Sequence, residues 1–161
     1  MRIAVGADHA GFELKKTVVQ VLRDQGHEVL DLGAFTPEPS DYPIYAKSVG
    51  NAVRNGEADR GILLCGSGVG VSIAASKLRG IRAGLCHDAY SAHQCVEHDN
   101  VNVLCMGPSV IGTELALDLI QIFLNARFTG EERHVRRLAE VEEFEKSEAE
   151  HEHCAHAQSA A

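Results

Sequence analysis

The chain has 161 residues, 45% of them apolar and 24% charged, which is the composition of one globular domain with chain enough for a sizeable core and excludes wholesale disorder. Fifteen basic residues against 23 acidic ones give a net charge of −8, and −6 of that falls in 138–161, where seven acids meet one lysine. The body before it is near neutral and has no basic run, so a nucleic-acid partner held on a basic face is not expected. No apolar stretch is long enough to span a bilayer, and the first residues lack the basic-then-apolar pattern of a secretory signal, so the expected compartment is the cytoplasm, with no membrane partner.

In chain order, Arg2–Gly6 (RIAVG) reads as a strand, and Leu14, Val18, Val21 and Leu22 then recur at helical spacing up to Gly26. Glu28–Leu32 is a second strand. Residues 33–43 carry Pro37, Pro39 and Pro43 and read as a loop, followed by a helix from about Tyr42 to Asn55. Gly61–Cys65 is a third strand, Gly66–Gly70 a glycine-rich turn, and Val71–Leu78 a short helix closed by Gly80. Ile81–Cys86 is a fourth strand with a helix over roughly 88–97, and Val101–Met106 a fifth with a long apolar helix over roughly 110–125. A polar helix starts near Glu131 and fades into a low-complexity tail over 151–161. Apolar strands separated by helices imply an α/β fold: an open five-stranded parallel sheet covered on both faces. One domain is expected over 1–150, with a flexible tail at 151–161.

Ligands of such sheets bind beyond the carboxyl ends of the strands. Asp8 and His9 follow the first strand, Cys65–Gly70 the third, His87 and Asp88 the fourth, and Gly107–Ser109 the fifth. A carboxylate beside an imidazole suits polar ligand capture at a helix N-terminus, but Asp8 as a mere helix cap fits equally well. In Cys65-Gly66-Ser67-Gly68-Val69-Gly70 the glycines let backbone N–H groups approach an anion, and a Cys facing a helix N-terminus gains a stabilised thiolate able to act as base or nucleophile. A buried Cys beside a structural turn is the plainer alternative. The pattern is not a nucleoside-triphosphate P-loop, and its position after the third strand does not suit a dinucleotide fingerprint. The five cysteines are odd in number and contain no CxxC pair, so they read as reduced.

Asp8 and Cys65 share a pocket only if the first and third strands are neighbours, with the second on the far side of the first. His98, in Glu97-His98-Asp99-Asn100, is an acid/base candidate or part of a polar loop. Arg133 and Arg137 lie i, i+4 on one helix face and suit a phosphate, unless they pair along the helix with Glu140 or Glu142. The tail set His151, His153, Cys154 and His156 matches no zinc spacing, and no metal is expected there.

Taken together, GADHAGFELK (6–15), SDYP (40–43), GILLCGSGVGVSIAASK (61–77), GIRAGLC (80–86), YSAH (90–93), EHDNVNVL (97–104) and RHVRRL (133–138) resemble the type B ribose-5-phosphate isomerases and their galactose-6-phosphate and allose-6-phosphate relatives. The resemblance runs over about residues 1–145. It implies a Rossmann-like, cofactor-free and metal-free isomerase. It further implies a homodimer or tetramer whose C-terminal helix reaches a partner subunit and whose sites draw on two subunits. The reaction implied interconverts an aldose phosphate and a ketose phosphate through an enediolate. Family members carry as base either a Cys at the position of Cys65 or a Glu at that of Val71, so this chain resembles the Cys subtype.

By the same matching, His98 opens the sugar ring and Asp8 binds sugar hydroxyls. Ser67 and the amides of Gly66, Gly68 and Gly70 hold the enediolate. His9, Arg133 and Arg137 bind phosphate, Tyr42 lines the site and Asn100 contacts substrate. Two positions depart from the pattern: Ser109 stands where relatives usually have an arginine that contacts phosphate, and Ser76 where they often have Asn. Loss of one charge-assisted contact of about 1.5–3 kcal/mol weakens phosphate binding roughly ten- to a hundred-fold. Either Arg136 compensates or the sugar differs from ribose 5-phosphate.

Overall fold

The structure, a computed structural model, describes residues 1–159, with side chains described through 147. Its elements alternate as the apolar runs foretell: β1 (Arg2–Ala7), α1 (Phe12–Asp24), β2 (Glu28–Asp31), α2 (Tyr42–Arg54), β3 (Arg60–Leu64), α3 (Val69–Ala75), β4 (Ala83–Leu85), α4 (Ala89–Asp99), β5 (Val103–Met106), α5 (Thr113–Asn125) and α6 (Glu132–Ser159). All strand pairs are parallel and the sheet order is β2-β1-β3-β5-β4. β1 and β3 are therefore neighbours, in the register Ile3↔Arg60 to Ala7↔Leu64, with β2 outside β1. The chain leaves β1 in one direction for β2 and in the other for β3, so the topological switch point falls between Asp8 and Cys65.

Successive strand residues point to opposite faces, and each face has its own core. Val5, Ile62, Leu64, Leu104 and Met106 pack with α1, α4 and α5, where Val18, Leu22, Val96, Leu119 and Phe123 are buried. Ala4, Leu63, Val103 and Cys105 pack with α2 and α3 through Ala46, Val49 and Val71. Apolar residues on both strand faces thus follow from a three-layer build. Lys15 on α1 breaks the apolar pattern and is nonetheless buried, its Nζ 2.5 Å from Asp31 Oδ1 at the end of β2. Asp31 Oδ1 also accepts from Gly33 N (3.2 Å), and Gly33 O accepts from Ala7 N (2.6 Å). The buried ion pair thereby fastens the loop after β2 to the end of β1.

Several element ends differ from the sequence reading, each for a local reason. β4 starts at Ala83 because Ile81 N turns back to Leu78 O. β5 starts at Val103 because Val101 N closes α4 on Cys95 O, with Asn100 in the left-handed region at φ 49°. α5 starts at Thr113 because Val110 and Ile111 both donate to Gly107 O, forming a turn. The chain divides into two compact units, Met1–Phe128 and Thr129–Ala161. The second unit contains α6, whose described side chains are polar apart from a modest apolar set that includes Val135, Val141 and Phe144. Among the described residues no helix is long and apolar enough to cross a membrane.

Candidate active site

The C-terminal edge of the sheet gathers Asp8, His9, Cys65–Gly70, Cys86–Asp88 and Gly107–Ser109. Asp8 N donates to Leu64 O (3.2 Å), so the chain after β1 is still tied to β3. The buried Asp8 carboxylate accepts from Ala10 N (2.9 Å) and Gly11 N (3.1 Å), both through Oδ1. Oδ1 thus closes the turn that leads into α1, whose N-cap is Gly11 with no side-chain cap, so the expected capping role of Asp8 is not the one found, and Oδ2 takes no part in the turn. A side chain at Gly11 would put its Cβ 2.7 Å from Leu64 O, so only glycine lets α1 begin this close to β3.

Cys65 is buried at the end of β3, and its Sγ accepts from Gly68 N at 3.1 Å. Gly68 sits at φ 80°, where a Cβ would also meet the Met106 backbone at 2.8 Å. This left-handed glycine turns its N–H back onto the sulfur. Ser67 Oγ accepts from Val69 N (3.4 Å) at the start of α3. Tyr42, the first residue of α2, lays its ring against Gly70, whose Cβ position is 3.0–3.1 Å from ring atoms. From the β5 side, Ser109 N donates to Gly66 O (3.0 Å), and Ser109 Oγ is 3.9 Å from where a Gly66 Cβ would be. Position 109 therefore lies against the glycine loop.

Burial pushes the Cys105 thiol up. The hydrogen bond between their sulfurs pushes Cys86 up and Cys95 down.

His9 is exposed, and its Nδ1 lies 3.1 Å from Ser40 N and 3.2 Å from Ser40 O in the loop before α2. His98 and Asn100 are placed differently. They close α4 and lead into β5, whose first residue Val103 pairs with Gly61 at the start of β3. Cys65 lies beyond the other end of β3, with its N–H facing Met106 O. Four residues of strand, roughly 13 Å at ~3.3 Å each, separate the two edges. One copy of the chain does not bring His98 or Asn100 to Cys65.

The His98 corner is itself well defined. Gln94 Nε2 is 2.9 Å from His98 Nδ1, His98 Nε2 is 3.9 Å from Glu97 Oε2, and Arg82 Nε donates to Asn100 O at 2.8 Å. On α6, Arg133 pairs with Glu131 (2.9 Å) and Arg136 with Glu140 (3.8 Å). The expected intrahelical pairing with Glu140 thus falls to Arg136, and among the described residues Arg137 makes no ion pair. Among those residues no group of three or more His, Cys, Asp or Glu is placed to hold a metal ion. The tail set of His151, His153, Cys154 and His156 lies outside the described side chains.

Three residues without a sequence-derived role adjoin these candidates: His87, whose Nε2 accepts from Gly107 N (3.1 Å), Gln94 and Arg82. The i, i+4 spacing of Gln94 and His98 was a readable signal. The Arg82 contact joins residues far apart in the chain and was not.

A thiol with an N–H donor and a glycine loop, set at the switch point of a parallel sheet, defines a strand-end site for small polar ligands. The family model described as Ribose/Galactose Isomerase matches residues 3–141. Ribose-5-phosphate isomerase B of Escherichia coli is 46% identical over 145 residues, covering 90% of this chain and 97% of the relative. D-erythrulose-4-phosphate isomerase of Pectobacterium atrosepticum is 43% identical over 131 residues, covering 81% and 86%. The solved ribose-5-phosphate isomerase B of Clostridium thermocellum superposes with a TM-score of 0.90 at 44% identity, covering 91% of this chain and 99% of that one. The chain belongs to the ribose/galactose isomerase family. It is a sugar-phosphate aldose–ketose isomerase.

Proposed function

We propose that the chain interconverts ribose 5-phosphate and ribulose 5-phosphate, with Cys65 as the proton-transfer base and no cofactor. The observation that carries this reading is the Gly68 N–H aimed at Cys65 Sγ, beside the Asp8 turn. The thiolate takes the proton from C2 of the open-chain aldose. The electrons move into the C1–C2 bond, and the charge rests on the oxygens of a cis-enediolate. Ser67 and the amides of Gly66, Gly68 and Gly70 hold those oxygens. Return of the proton from sulfur to C1, with the hydroxyl proton passing from O2 to O1 so that C2 becomes the carbonyl, gives the ketose. Asp8 binds sugar hydroxyls through the oxygen its turn leaves unused, Tyr42 walls the site and His9 meets the phosphate.

Ring opening and the rest of the phosphate contacts come, in this reading, from a second copy. His98 and Asn100 stand at the wrong edge of the sheet to serve their own Cys65. A symmetric homodimer, alone or paired into a tetramer, carries His98, Asn100, Arg133 and Arg137 of one copy to the Cys65 of the other. The exposed Val69, Ile73 and Leu85 give the first unit an apolar face for such docking. A single isomerase domain over 1–150, working in the cytoplasm, completes the proposal.

Ser109 favours a second reading, an isomerase of the same kind for another sugar, and the Pectobacterium relative bears the name of a four-carbon substrate. A coupled assay over ribose 5-phosphate, galactose 6-phosphate, allose 6-phosphate and erythrulose 4-phosphate decides. The highest kcat/KM is expected with ribose 5-phosphate. A tenfold preference for another sugar transfers the assignment to it. Binding of sugar phosphates with no turnover of any would make the protein a silent binder and overturn the proposal.

A further inference from the structure

Gln94 lies one helical turn before His98 on α4. Its Nε2 is 2.9 Å from His98 Nδ1 and 3.4 Å from Asp99 Oδ2. An ionised carboxylate only accepts hydrogen bonds, so Asp99 requires the NH2 end of the Gln94 amide on its side. The same NH2 group has a second hydrogen, and it is directed at His98 Nδ1. That ring nitrogen then accepts, and in the neutral ring the proton sits on Nε2.

We infer that Gln94, braced by Asp99, is a positioning residue that fixes His98 in the Nε2–H tautomer. This rests on the reading of His98 as the ring-opening group. Opening a furanose phosphate requires a proton delivered to the ring oxygen as the bond from C1 to that oxygen breaks, while the anomeric hydroxyl passes its own proton to solvent water and becomes the C1 carbonyl. A His98 held with Nε2–H enters the reaction able to donate. The opposite tautomer would present a lone pair at Nε2 and could not. Glu97 Oε2, 3.9 Å from Nε2, is the carboxylate on that side of the ring. Asn100, at the end of the helix, is fixed by Arg82, so the whole corner is held against the start of β5.

Two measurements test this on the intact protein. Nitrogen-15 spectra of the histidine side chains, with His98 assigned by its loss in His98→Ala, should show the neutral ring protonated at Nε2. A ring protonated at Nδ1 overturns the inference, whatever the reaction. In ribose 5-phosphate turnover, His98→Ala should cost roughly a hundredfold and Gln94→Ala about tenfold in kcat, while Gln94→Ala added to His98→Ala should cost under about twofold more. Ala is the best helix former, so this variant keeps α4 intact. Gln94→Glu has the same shape but accepts from an Nδ1–H, whereas Gln94 donates to an Nδ1 lone pair. It should lose at least as much turnover as Gln94→Ala.

Full activity in Gln94→Glu, or losses that multiply in the double variant, overturns the inference. A His98→Ala enzyme with undiminished turnover instead removes the ring-opening reading, which the nitrogen spectra do not depend on.

Discussion

Cys65 precedes Gly66 and Ser109 donates its N–H to Gly66 O, and in the proposed reaction each bears on a separate part. The Gly68 N–H on Cys65 Sγ is an interaction that gains strength when the sulfur is charged. Cys65→Ala should therefore lower kcat by at least about a thousandfold and leave binding of a sugar phosphate within a few-fold, since proton transfer belongs to the transition state. Cys65→Ser should be nearly as inactive, because a hydroxyl is a far weaker base. Steady-state rates with a parallel titration of binding check this, and a Cys65→Ala enzyme that keeps most of its turnover shows the base to be elsewhere. Ser109 is anchored by its backbone to Gly66 O, so a longer side chain there starts from the rim of the glycine loop. Ser109→Arg should lower KM for ribose 5-phosphate about ten- to a hundred-fold with kcat little changed, because a phosphate remote from the reacting carbons is held alike in ground and transition states. If KM is unmoved, the position does not face the phosphate, and Arg136 becomes the residue to substitute.

The loops after β3 and β5 owe their joint shape to glycine. A Cβ on Gly107 would lie 2.3 Å from Gly66 O and 2.5 Å from Ser67 Cα, and backbone cannot step aside as a flexible side chain can. Gly107→Ala should cost about 1–3 kcal/mol of stability, read as a lower melting temperature, and should remove most activity by shifting Cys65–Gly68. Gly112→Ala, where nothing lies within 4 Å of a Cβ, is the control and should leave both unchanged. Equal effects from the two would detach the Gly107 contact from the site. At this scale the sequence was informative about types and weak about uses. The apolar runs showed the strands and the glycine cluster showed the turn, because periodicity and backbone freedom are written in residue types. The two roles of Asp8 stayed open because a cap and a ligand both need a carboxylate at that place, and the fold instead uses one oxygen to close the turn before Gly11, the N-cap of α1. Nothing in the sequence sets Lys15 apart, because its partner Asp31 lies on another element. Element ends moved where turns such as Val101 N to Cys95 O depend on backbone closure.

At the scale of the whole molecule, the order of elements alone separates Cys65 from His98. In a parallel sheet, a residue that ends a helix and precedes a strand stands at the edge opposite to one that follows a strand. That much was legible from chain order, and the proposed role of His98 then calls for a second copy. The proposed dimer then makes a prediction that no monomeric site can satisfy. Cys65→Ala and His98→Ala homodimers should both be nearly inactive. When the two proteins are unfolded together and refolded, random pairing makes half of the dimers mixed. Each mixed dimer has one site that lacks both groups and one that joins the intact Cys65 of one chain to the intact His98 of the other. Activity should return to about a quarter of the wild-type rate at equal total protein, without any new contact being made. Val69→Glu or Ile73→Glu in either partner, placed on the exposed apolar face of α3, should prevent the recovery by blocking docking. Light scattering on the same mixtures reports whether dimers formed. Dimers that form freely but recover no activity would place His98 outside the site of Cys65. Wild-type protein that is fully active while monomeric would instead bring both residues into one chain's site, against the topology of the sheet.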